Sequence, residues 1–208
     1  IMSTIRTVLV ASTLILSAGT ANASADAPQW TVNDSNGQVT ALISGEARIL
    51  PKGSVVPVGA AFMTGRDGTV VLERGEETVV LSPNSRLRVA DPAPSRGLVQ
   101  ILADQGTATF HGKSSATSWF AISTPYLSAA TTSAHFSVSV STTGASVKAL
   151  GGSVQVFTND GRSAHVVTAG KADVASIEKG DRLKVTDNTQ RIVDLTTPAS
   201  TVQSKPAA

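Results

Sequence analysis

In the run Ala134-His135-Phe136-Ser137-Val138-Ser139-Val140-Ser141, every second residue is apolar. Successive side chains of a β-strand point to opposite faces. Phe136, Val138 and Val140 would therefore share a buried face, and Ser137, Ser139 and Ser141 the other. The alternation returns at Val99, Ile101 and Ala103, at Ala145, Val147 and Ala149, and at Val154 and Val156. From Trp30 to about Val185 the chain reads as a succession of short strands. Abundant Thr and Val fit this reading, because a branched Cβ restricts χ1 and suits a pleated surface.

Turn residues separate the strands. Asn36-Gly37, Asp67-Gly68 and Asp160-Gly161 read as tight turns, since these residue types tolerate positive φ. Ser82-Pro83-Asn84-Ser85 reads as a turn between Val79-Val80-Leu81 and Leu87-Arg88-Val89. Residues 91–97 and 112–118 read as loops. A weak echo links Gly45-Glu-Ala-Arg-Ile49, Gly106-Thr-Ala-Thr-Phe110 and Gly152-Ser-Val-Gln-Val156. Each places apolar residues two and four positions after a glycine. The intervals differ, so this is not a fixed-period repeat.

The first residues suggest export. Arg6 is followed by an apolar stretch from Val8 to Leu16 and then by Ala21-Asn22-Ala23. That order matches a cleavable secretory signal, and the apolar part is shorter than the roughly 20 residues of a bilayer span. The expected organisation is a signal peptide at 1–23, a lead-in at 24–36, a β domain at 37–175, and a short β extension with a polar tail at 176–208. The expected location is periplasmic or secreted, with no transmembrane anchor in the mature form.

Composition narrows the function. There are no cysteines, which removes disulfides, thiolate catalysis and zinc–thiolate sites. Net charge is +2 and the basic residues are scattered, so no stripe suited to nucleic acid appears.

Several motifs together resemble the FecR-domain family. Thr64-Gly65-Arg66-Asp67-Gly68-Thr69-Val70-Val71-Leu72 is followed by Leu81-Ser82-Pro83-Asn84-Ser85-Arg86-Leu87-Arg88-Val89. Gly45, Gly53 and Gly59 lie upstream. Gln105-Gly106-Thr-Ala, Thr124-Pro125, Leu150-Gly151-Gly152-Ser-Val-Gln-Val and Thr168-Ala169-Gly170-Lys171 lie downstream. Where the family usually has Gly-Thr, this chain has Ser133-Ala134. The resemblance implies an all-β solenoid-like or roll-like module, with a β-sandwich as the alternative. It also implies a role in periplasmic protein interaction or envelope sensing. The anti-sigma segment and membrane helix of the family's sigma-factor regulators are not recognised ahead of the module.

No residue set stands out as catalytic, cofactor-binding or metal-ligating. His111, His135 and His165 are far apart in sequence, and His135 falls on the Ser137 face of its strand. Asp67, Asp91, Asp104, Asp160 and Asp181 read as turn or loop residues. Glu73, Glu76 and Glu77 flank Gly75 at an expected hairpin tip and read as a solvated edge. No G-x-S-x-G occurs, and Gly151-Gly152 is not followed by the Lys-Ser or Lys-Thr of a phosphate loop. Trp119-Phe120 should point to opposite faces, which leaves one ring free to touch a glycan or a protein. The expectation is a non-catalytic module without cofactor, whose partner is another envelope protein. A carbohydrate-binding or structural envelope β protein is the alternative.

Overall fold

The computed structural model describes residues 29–90, 98–113, 119–187 and 192–194. The expected export signal, the loop at 91–97, most of the loop at 112–118 and the polar tail beyond 194 lie outside the described residues.

The described residues form sixteen strands and no helix. In chain order they are β1 (Thr31–Asn36), β2 (Val39–Ile43), β3 (Glu46–Arg48), β4 (Ala61–Thr64), β5 (Thr69–Arg74), β6 (Glu77–Leu81), β7 (Arg86–Val89), β8 (Leu98–Lys113), β9 (Trp119–Ser123), β10 (Leu127–Thr131), β11 (Ser133–Val140), β12 (Gly144–Thr158), β13 (Ala164–Thr168), β14 (Ala172–Glu178), β15 (Lys184–Asp187) and β16 (Ile192–Asp194). The stretch expected to lead into the domain contains β1, which pairs with β5.

The strands divide into two sheets. Sheet I runs β1-β5-β6-β8-β11-β12-β14-β15-β16. Sheet II runs β3-β2-β4-β7-β8-β9-β10-β12-β13. Two strands belong to both. β8 has 16 residues and β12 has 15, longer than the roughly 3–10 typical of strands. The first part of β8 pairs in sheet II and its second part in sheet I. β12 crosses in the opposite direction.

The core lies between the sheets. Alternation along β11 buries Phe136, Val138 and Val140, as the serine–apolar pattern requires. Phe110 from sheet I sits 5.4 Å, centroid to centroid, from Phe120 of sheet II, and 5.1 Å from the stacked ring of Phe136. Trp30 meets Phe120 edge-on at 6.4 Å. Burying each such ring contributes roughly 1.5–3 kcal/mol, so these four aromatics weld the two sheets. The pairing does not confirm a solenoid-like or roll-like coil. Among the described strands only β8 and β9 pair in parallel, and the two sheets face one another across a shared interior.

The three expected tight turns join their strands in different ways. Asp160-Gly161 closes the β12–β13 hairpin, with Gly161 N–H on the Thr158 carbonyl at 2.9 Å. Asn36-Gly37 instead carries the chain from sheet I to sheet II, and Asp67-Gly68 carries it back. Gly37 and Gly161 adopt positive φ, 66° and 69°, and Gly68 does not; turn chemistry does not say which strand comes next. Ser82–Ser85 is likewise a crossing, from β6 in sheet I to β7 in sheet II.

These crossings gather into two corners, the device by which strands switch sheets in folded-over β structures. At the first, Thr64 Oγ1 donates to the Ser82 carbonyl at 2.6 Å and accepts from Ser85 N–H at 2.9 Å. Gly65 N–H bonds Gln38 O at 2.8 Å, and Asn84 N–H bonds Gly65 O at 2.9 Å. Ser85 Oγ, in turn, accepts from Thr107 N–H at 2.9 Å, immediately after β8 bends at Gly106. Gly106 has φ +82°, and a Cβ there would overlap Ser85. At the second corner β12 bends at Gly152, φ +74°, where a Cβ would lie 2.9 Å from the Ser133 carbonyl. Buried Thr131 donates to Ser153 O at 3.0 Å and accepts from Ser133 N–H at 3.2 Å. Ser133, where the chain departs from the family pattern, thus has its backbone N–H bonded to the Thr131 hydroxyl.

Candidate functional site

With the motif glycines and hydroxyls used to build corners, what remains for function is the outer face of each sheet.

The outer face of sheet I is lined by small hydroxyls. Thr107, Ser139, Ser146 and Ser176 form one cross-strand row, with Thr107 and Ser139 hydroxyls 3.0 Å apart. Thr109, Ser137 and Lys148 form the next row. His111 and His135 close the face. They are direct register partners, both exposed, with ring centroids 5.3 Å apart and planes at 77°. Two of the three histidines are therefore brought together, whereas His165 lies on β13 in sheet II.

On the outer face of sheet II, β7 exposes Arg86 and Arg88, whereas the part built from β9, β10, β12 and β13 is poor in charge. Ala121, Ala130, Gln155 and Val166 form one row, and Ser123, Ser128, Phe157 and Ala164 another. Trp119 stands on the same side at 43% exposure, while Phe120 is 5% exposed and packed in the core. The opposite pointing of these two rings follows from strand alternation. Val166 is also exposed, at 47%.

Several acidic residues have structural partners. Asp160 accepts from Thr158 Oγ1 at 2.6 Å and Arg162 N–H at 3.0 Å. The Thr158 hydroxyl chiefly, and then the Arg162 amide, hold its carboxyl below the usual value. Asp181 is held low in the same way, first by Lys184 and then by the Arg182 amide. Asp67 accepts from Gln38 N–H at the first corner. Asp104 lies within β8 just before its bend rather than in a loop, and Asp91 lies outside the described residues. Glu73 and Glu76 do flank the hairpin tip at Gly75. Glu77 departs from the solvated-edge reading: it is 6% exposed and paired with Arg74 Nε at 2.7 Å, while the Arg74 guanidinium lies 5.7 Å from the Trp30 ring centroid. Trp30 and Arg74 were not legible as partners, because 44 positions separate them.

Among the described residues, no three His, Asp or Glu side chains converge on a metal site. Nor is any buried side-chain nitrogen or oxygen left without a partner.

The segment that carries both corners has counterparts elsewhere. Residues 61–155 match the FecR protein family. The matched stretch begins at β4 and ends inside β12, so it spans both bends and most of the shared core, within the longer 37–175 stretch over which motifs were recognised. Two crystal structures of a candidate anti-sigma factor from Parabacteroides distasonis share the fold. Each has a TM-score of 0.53 at 12% identity, over 61% of this chain and 59% of that one. The likeness thus spans under two thirds of the neighbour's length. No curated protein matches the chain. The FecR-matching stretch therefore supports a regulatory or signalling module, and its signature residues are those that fold the sheets over.

Proposed function

We propose that this chain is an exported, non-catalytic FecR-like module that takes part in envelope signalling by binding another envelope protein. The observation that carries the reading is the FecR match across residues 61–155, the stretch on which the two sheets are joined. The fold shared with a candidate anti-sigma factor supports it. Periplasmic or secreted placement rests on the sequence of residues 1–23. The partner is expected on the β9–β10–β12–β13 part of the outer face of sheet II, away from Arg86 and Arg88, where Trp119 and Val166 supply exposed apolar surface.

A photo-reactive amino acid placed at Ser128 and, as a control, at Ser137 on the other sheet would test this in the source cells. The expected result is one dominant adduct with an envelope protein from position 128, lost on Trp119→Ala, together with altered transcription when the gene is deleted. Equal labelling from both positions and an unchanged transcript profile would sink the proposal.

A second reading, glycan recognition, is favoured by Trp119 alone, since an exposed indole suits the apolar face of a sugar. A glycan array with wild-type protein and Trp119→Ala separates the two. Absence of any Trp119-dependent glycan signal removes this second reading.

A further inference from the structure

The histidine pair on sheet I is exposed, and the two imidazoles meet edge-on as cross-strand partners. Neither His111 nor His135 packs in the core, and neither imidazole hydrogen-bonds another described residue. We infer that His111 and His135 form a two-imidazole chelate for a late divalent transition-metal ion such as Zn²⁺ or Cu²⁺. This inference is independent of the signalling role proposed above.

The geometry comes first. Direct partners on antiparallel strands hold their Cβ atoms about 4.5–5.5 Å apart, and His135 and His111 are such partners. Two imidazoles bound through one nitrogen each to a tetrahedral ion, with metal–nitrogen bonds of about 2.0–2.1 Å, place their ring centroids about 5 Å apart. The observed separation is 5.3 Å. The centroid separation matches that of a bound pair, and rotation of the two side chains out of their edge-on contact would turn a nitrogen of each to the ion.

The surroundings leave room for the ion. On its other side His135 faces Gly151, which offers no side chain. The pairing of β11 with β12 shifts register at this point, leaving Leu150 as an extra residue. Bulges of this kind re-aim neighbouring side chains. His111 faces Thr78 across β6. Two protein ligands leave the remaining coordination positions to water or to a side chain from a docked protein. Imidazole suits Zn²⁺ and Cu²⁺, with Cu²⁺ bound more tightly in the usual order of stability. Among the described residues no carboxylate or carbonyl steadies either ring, and loss of such support typically costs 10–100-fold in affinity, so binding of moderate strength is expected.

The test is calorimetric titration of the tag-free chain with Zn²⁺ and, separately, Cu²⁺. One ion per chain is expected. His111→Ala and His135→Ala should each weaken binding at least tenfold, and His165→Ala should leave it unchanged. Electron paramagnetic resonance of the Cu²⁺ complex should show two coordinated nitrogens, falling to one in either variant. Gly151→His adds a gain test. A Cβ at Gly151 would meet that of His135 at an ordinary 3.6 Å, so a third imidazole fits on the row and should raise Zn²⁺ affinity at least tenfold. Equal affinity in wild type and His111→Ala, an equal loss in His165→Ala, or no gain in Gly151→His would each overturn the site.

Discussion

Arg74 Nε donates to Glu77 Oε2 at 2.7 Å across the β5–β6 tip, with side-chain exposures of 17% and 8%. The pair caps the end of the core where Trp30 lies beneath the guanidinium. Removing one partner would leave the other charge poorly solvated. Glu77→Ala should lower unfolding free energy by roughly 3 kcal/mol, the scale for breaking a buried pair. Replacing both by apolar residues, as in Arg74→Met with Glu77→Leu, should recover most of that loss. Urea denaturation of the single and double variants measures both effects.

The first corner makes a second prediction. Gly106→Ala must hold a side chain at φ +82° and also displace Ser85. The backbone penalty alone is of order 1–3 kcal/mol, so a loss of about 3 kcal/mol or more is expected. Ser85→Ala keeps the backbone but strips the acceptor from Thr107 N–H. It should cost about 1–3 kcal/mol, the penalty for an unsatisfied buried donor. Chemical denaturation would rank the two variants, and Ser85→Ala should be the milder.

Phe110 touches aromatic rings from both sheets, whereas Trp119 faces outward. Phe110→Ala should cost about 3–5 kcal/mol. Trp119→Ala should change stability by about 0.5 kcal/mol or less, as surface substitutions usually do, while removing the photo-adduct described above. Thermal unfolding of the two proteins side by side makes the comparison.

Acid should weaken the β12–β13 hairpin and the turn before β15. The carboxyls of Asp160 and Asp181 both sit below their ordinary 3.8 in the folded chain. A lowered folded-state pKa means the stabilisation is complete above the unfolded value and disappears as pH falls through the folded one. Melting temperature should therefore drop below about pH 4 and be insensitive to these groups near neutrality. Asp160→Asn should lower stability at neutral pH and flatten part of the acid slope. An unchanged slope in that variant would show that the Thr158 and Arg162 bonds carry none of it.

The strands were readable because period-two alternation is a local property. Phe136, Val138 and Val140 are buried and His135 is exposed, as the pattern requires. The sheets were not readable. A Gly-containing turn looks alike whether the next strand pairs with the last one or leaves for another sheet, so the tight turns read at Asn36-Gly37 and Asp67-Gly68 carry no sign that the chain changes sheet there. The glycine echo held more information than it showed. Gly106 and Gly152 mark the two bends, while Gly45 closes the ordinary β2–β3 hairpin. Trp119 and Phe120 were assigned opposite faces correctly, again by alternation. The meeting of His111 with His135 depends on a 24-residue offset between β8 and β11, and nothing in the spacing announces that register.

β8 and β12 each contribute to both sheets, and this has a consequence for dissection of the chain. Cleavage anywhere between residues 98 and 158 separates strands that complete one another, so neither piece retains a whole sheet. The module should melt in one calorimetric step, and its fragments should recover structure only when mixed. A ligand gripping one face thereby holds the opposite face in place as well.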